Sequence, residues 1–158
     1  MDLNFDHLKI YFDGGSRGNP GPSAVGAVVY DKNDNLVDQM SLFIGNYTNN
    51  LAEYLALDNV LELIKKYRVK YNVQRIILFT DSKLLYSQLK RIWKIKDEEI
   101  LEVYKKVIKK LKDYETVDLR LITREGNKAA DRLVNEALDK KSNTLLDEAV
   151  INFGIIED

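Results

Sequence analysis

The chain opens with strand-length apolar patterns and changes period twice afterwards. Residues 8–12, LKIYF, form a short apolar run that gives way to glycine, proline and small polar residues in GGSRGNPGPS. Residues 24–31 (AVGAVVYD) and 36–45 (LVDQMSLFIG) read as two further strands. The KNDN between them has the Asn/Asp character of a hairpin turn, so three antiparallel neighbours are predicted. From Asn50 the period becomes helical, with Leu51, Leu55, Leu57, Val60, Leu61 and Ile64 recurring on one face and NYTNN supplying capping residues. Residues 75–80, RIILFT, are a continuous apolar run, the signature of a central strand buried on both faces. Helices are predicted over 82–92 and 97–112, a strand over 117–122 and a last helix over 127–140. The order βββαβααβα is that of an α/β protein with a mixed five-stranded sheet, its first three strands antiparallel, flanked by helices.

This order places four acids along one edge. Asp13 is expected to end the first strand and Asp81 the fourth, while Glu53 lies one turn into the first helix and Asp131 in the first turns of the last. Functional groups in open α/β sheets collect outside the carboxyl ends of strands. Each acid also has a structural use: Asp81 as a helix cap, Asp13 as a turn acid, Glu53 as a favourable charge at a helix N-terminus. Clustered like charges, however, destabilise a fold unless they are protonated or neutralised.

Composition narrows the chemistry. The 158 residues are 45% hydrophobic and 31% charged, which is one domain with a substantial core. There is no cysteine and only one histidine, His7, so thiolate and His-rich zinc sites are excluded and a cytoplasmic protein is expected. Neither a signal peptide nor a membrane span is predicted. A net charge of −1 argues against binding nucleic acid through bulk positive charge. Residues 83–112 nevertheless carry ten Lys or Arg against four acids, which reads most simply as a solvated helix face. The glycine loop fits neither a P-loop nor GxGxxG.

FDGGSRGNPGP, TNNLAEYLAL, FTDSKLL and REGNKAADRLVNEA, in this order and spacing, resemble the four signatures of the ribonuclease H type 1 family. The resemblance runs from about residue 8 to residue 141. It implies a ribonuclease H-like fold and an endonuclease that hydrolyses the RNA strand of RNA/DNA hybrids, largely without regard to sequence. It further implies that Asp13, Glu53, Asp81 and Asp131 are catalytic ligands of two Mg²⁺ ions, with Mn²⁺ as a substitute. Oxygen-only ligands suit those metals. By the same resemblance Gly14, Gly15, Ser16 and Asn19 contact the RNA backbone, Thr48 helps hold a DNA phosphate and Asn50 reaches the minor groove. Helix capping is the structural alternative for the TNN stretch. Asn127 lies four residues before Asp131, where it can orient that acid or reach the substrate.

Two departures from the best-known bacterial pattern concern the substrate and the loop before the last acid. Only WKIK separates the second and third helices, with no room for an extra basic helix, so Lys90, Arg91, Lys94 and Lys96 must substitute for it. Where many relatives carry a catalytic His, this chain has Arg124, as in the archaeal-type branch of the family. That branch makes double-stranded RNA an alternative substrate; the same chemistry on another nucleic acid and a non-catalytic hybrid-binding module are the other readings. An Arg stays protonated and cannot act as general base, but it can stabilise charge. A monomer is expected, with residues 1–141 as the catalytic domain. Residues 142–158, with a Thr-x-x-Asp pattern and the apolar VINFGII, are expected to pack on the domain as a tail.

Overall fold

The computed structural model describes residues 2–141. Its elements run β1 (Leu8–Ser16), β2 (Gly21–Tyr30), β3 (Leu36–Tyr47), α1 (Asn49–Tyr71), β4 (Arg75–Thr80), α2 (Lys83–Leu89), α3 (Glu98–Leu111), β5 (Thr116–Leu121), a 3₁₀ turn over Glu125–Asn127, and α4 (Lys128–Lys141). The predicted order is observed. The expected packing of residues 142–158 lies outside the described residues.

The five strands form one sheet in the order β3-β2-β1-β4-β5. β1 pairs antiparallel with β2 and β2 with β3, whereas β4 pairs parallel with both β1 and β5. The β2–β3 hairpin is held by Asp31, a fully buried carboxylate that accepts N–H bonds from Asn4, Asn33 and Asn35. Burial pushes this acid up, but those bonds outweigh it and hold Asp31 below the usual carboxylate range.

α1 lies on one face of the sheet. Its Tyr54, Leu57 and Ile64 pack against Leu8, Ile10 and Phe12 of β1 and Ile76 and Leu78 of β4, with α3 adding Ile100, Val103 and Val107. On the other face α4 presses Val134, Ala137 and Leu138 onto Ala24 and Phe43. Among the described residues no helix is long and apolar enough to cross a membrane.

Of the boundaries that shift, two have a direct physical reason. The first strand does not stop at Phe12, because Gly14, Gly15 and Ser16 pair on with Val25, Ala24 and Ser23. Asp13 therefore projects from within a strand rather than from its end. The second helix stops at Leu89 instead of 92, since Arg91 adopts a left-handed φ of 62° that an α-helix cannot contain.

Candidate active site

Asp13, Glu53 and Asp81 converge at the centre of the sheet, each offering a carboxylate oxygen within 4.8 Å of the others. Glycine makes this possible. A Cβ on Gly14 would lie 2.0 Å from the Ala52 carbonyl oxygen, so only glycine lets α1 approach β1 closely enough to bring Glu53 beside Asp13. The Gly14 N–H then donates to Glu53 Oε1 at 2.9 Å. Gly26 does the same for α4, since a Cβ there would meet the Ala130 carbonyl at 2.4 Å.

Asp81 follows β4 and precedes α2, whose cap is Ser82 Oγ, accepting from Leu85 N–H; the capping role open to Asp81 is thus taken by its neighbour. Asp81 is held instead by Asn127, whose Nδ2 donates to Asp81 Oδ2 at 3.1 Å and to the Phe12 carbonyl at 2.9 Å. Asn127 sits in the 3₁₀ turn rather than in α4, so it positions Asp81 and not Asp131. Asp131 is exposed on α4 and lies outside the tight triad, yet it lines the same cleft of about 170 Å³ and its charge acts on Asp13.

The electrostatics are those of a site short of positive charge. Burial, then the Asp81 charge, raises Asp13 to about 7, and burial together with Asp13 pushes Glu53 well above the usual carboxylate range. Unlike Asp31, these acids have few N–H donors to hold their negative charge. A divalent cation would supply what is missing, and a donor set made only of oxygen suits a hard metal ion. The residues present therefore fit such an ion.

At the rim, Gly14, Gly15 and Arg124 line the cleft. The Arg124 guanidinium is exposed and makes no ion pair among the described residues. Thr48 caps α1, accepting from Leu51 N–H at 3.3 Å. Ser16 spends its hydroxyl on backbone carbonyls, including that of Tyr47 at 2.9 Å. Asn50 is exposed and lies off the cleft, whereas Asn49 lines it, accepting from the Ser16 N–H at 3.3 Å and donating its own N–H to Asn19 Oδ1 at 3.0 Å. Asn49, which the sequence did not single out from its neighbour, is thus tied to the glycine loop from the cleft side, while Asn50 keeps its side chain toward solvent.

Comparison with known proteins agrees with this fold. A family model described as reverse transcriptase-like matches residues 11–137. The bifunctional protein Rv2228c of Mycobacterium tuberculosis is 34% identical over 143 residues, 90% of this chain, which spans only 38% of that relative's length. The crystal structure of RNase H1 from Halobacterium salinarum superposes with a TM-score of 0.78 at 36% identity, covering 85% of this chain and 98% of that one. LC11-RNase H1, solved in complex with an RNA/DNA hybrid, gives a TM-score of 0.81 at 36% identity over 86% of this chain and 99% of its own.

Proposed function

This chain belongs to the ribonuclease H type 1 family, and from that premise we propose that it is an endonuclease hydrolysing the RNA strand of RNA/DNA hybrids with two Mg²⁺ ions. The observation that carries the reading is the convergence of Asp13, Glu53 and Asp81 within 4.8 Å in a cleft whose four carboxylates face a single cationic side chain, Arg124. When bound, the two ions supply activation of a water, neutralisation of charge on the phosphate and stabilisation of the leaving oxygen. Asp13, Glu53 and Asp81 hold the inner position, and Asp131, on the open side, completes the set. Asn127 fixes the direction of the Asp81 carboxylate. Gly14 and Gly15 present backbone to a polynucleotide at the cleft mouth, and Asn19, Thr48, Asn49 and Asn50 offer polar groups near it.

Labelled RNA/DNA hybrid, double-stranded RNA and double-stranded DNA, each incubated with the protein and Mg²⁺, test this directly. Cleavage confined to the RNA strand of the hybrid is expected; equal rates on double-stranded RNA would overturn the hybrid preference, and cleavage of DNA the whole reading. Mn²⁺ should support the reaction. Ca²⁺ is larger and accepts looser oxygen geometry, so it should occupy the site, compete with Mg²⁺ and support less than about 1% of the Mg²⁺ rate. Equal rates with Ca²⁺ would point to another chemistry.

The loop arginine makes a separate prediction. With no acid among the described residues engaging it, the Arg124 guanidinium is available to stabilise charge at the cleaved phosphate. Arg124→Ala should lower turnover roughly 10²-fold and Arg124→Lys less, with hybrid affinity changing little. Turnover by Arg124→Ala equal to that of the parent, measured at saturating hybrid, would assign this side chain to the solvated surface.

A further inference from the structure

α2 and the chain leaving it carry a run of cations with nothing negative among them. Between Asp81 and Asp97 the sequence has Lys83, Lys90, Arg91, Lys94 and Lys96 and no acid. None of these cations makes an ion pair among the described residues. Ile92 and Trp93 stand exposed between them, and cations interleaved with an exposed aromatic suit a polynucleotide, whose phosphates take the charge and whose bases offer a face to stack. α2 has seven residues, so it carries the chain about 10 Å from Asp81. One duplex can touch both places.

A loop so exposed needs holding. Across residues 90–97 Ile95 alone is half-buried, packed against the core, and the others face solvent. Arg91 turns the chain with its left-handed φ of 62°, and the Ile92 and Trp93 N–H groups donate back to the Ser87 carbonyl at 2.8 and 3.1 Å. The next residue is fixed from inside the protein. Gln88, buried on α2, donates from Nε2 to the Lys94 carbonyl at 3.2 Å. Its Oε1 accepts at 2.8 Å from the hydroxyl of Tyr54, which is fully buried on α1. With both ends of the amide engaged, its plane is set. Two apolar side chains of the same shape would fill this space at little cost in stability, so what the polar pair adds is a fixed donor under Lys94. We propose that Gln88, oriented by Tyr54, is a positioning residue for substrate binding, holding the Lys94 carbonyl and so setting the 90–96 loop against the phosphate backbone of the hybrid. This rests on hybrid cleavage as the activity of the chain. Neither side chain lines the acidic cleft, so the pair serves affinity and not the chemical step.

Variants of the full chain separate positioning from stability. Gln88→Met keeps the volume, frees the Lys94 carbonyl and leaves the Tyr54 hydroxyl buried without an acceptor, so it should lower both the urea midpoint and hybrid affinity. Tyr54→Phe/Gln88→Met removes that orphaned hydroxyl and should bring the midpoint back toward the parent's, while hybrid affinity stays low. With Ca²⁺ in place of Mg²⁺, the Kd for an RNA/DNA hybrid should weaken at least ~5-fold in both, and the slope of log Kd against log salt should fall by about 1, the share of one phosphate contact. With Mg²⁺, KM should rise while kcat at saturating hybrid holds within about twofold. Lys90→Ala/Lys94→Ala should weaken the hybrid by itself, and adding Gln88→Met to it should cost less than in the parent, because the loop then has fewer contacts to misplace. The proposal is overturned if the Tyr54→Phe/Gln88→Met variant regains affinity together with its midpoint, if its salt slope equals the parent's, or if kcat falls while Kd holds. A parent that cleaves no hybrid overturns the activity and this role with it; a parent that cleaves it, beside variants that bind as tightly, overturns the positioning role alone.

Discussion

Asp13→Asn, Glu53→Gln and Asp81→Asn should each reduce hybrid cleavage by roughly 10³-fold or more, because each removes one charge from a shared oxygen site that has no spare ligand within the triad. Asp131→Asn, on the exposed side of the cleft, should lose less. In metal-free buffer the same changes should stabilise the fold. Asp13 binds its proton up to about pH 7 in the folded protein, against an ordinary value of 3.8, so between those limits the native state holds more protons than the unfolded one. Stability of the metal-free parent therefore falls as pH rises from about 4 to about 7 and levels off above, as far as this group contributes. At pH 8 in EDTA, Asp13→Asn removes that penalty and should melt higher, by about 1–3 kcal/mol in stability. Adding Mg²⁺ should raise the melting temperature of the parent and leave the variant nearly unmoved. Parent-like turnover in any one of the triad variants would sink the metal-site assignment, and a metal-free parent that gains stability from pH 4 to 7 would contradict the electrostatics of the cleft.

The sequence carried the element order and the acids because both rest on local signals. Period 2 and period 3.6 separate β1–β3 from α1, and the apolar run before Asp81 marks a central strand. What it did not carry depends on close approach between distant segments. Nothing in GGSRG says that Gly14 and Gly15 stay in the ladder with Val25 and Ala24, since glycine-rich stretches ordinarily end strands. The reason lies in α1, whose Ala52 carbonyl occupies the space that a side chain at position 14 would need. The part played by Asn49 has the same origin, because which asparagine turns toward Ser16 is set by how α1 docks on β1. Asn127 was found by its spacing from Asp131, yet its hydrogen bonds run to Asp81 and Phe12, 46 and 115 residues away in sequence. Helical periodicity contains no information about such partners.

Gly14→Ala should be the most damaging single-methyl change in the chain. The added Cβ would meet the Ala52 oxygen at 2.0 Å and the Glu53 nitrogen at 2.7 Å, both backbone atoms in a buried helix that cannot turn aside. Relief requires α1 to move off β1, which opens the core beneath Tyr54 and Leu57 and breaks the Gly14–Glu53 hydrogen bond. Overpacking that forces backbone shifts costs about 1–3 kcal/mol, and here the displaced helix carries a large share of the buried apolar surface, so a loss of about 3–5 kcal/mol is expected. Cleavage should fall with it, since Glu53 leaves its place beside Asp13. Gly15→Ala is the control: its Cβ would approach only Val134 Cγ1, at 3.3 Å, a side-chain methyl able to yield by a few tenths of an ångström. That variant should lose less than about 1 kcal/mol. Urea denaturation of the two variants beside the parent decides between them; equal midpoints for Gly14→Ala and Gly15→Ala would mean that the approach of α1 to β1 is not what glycine provides at position 14.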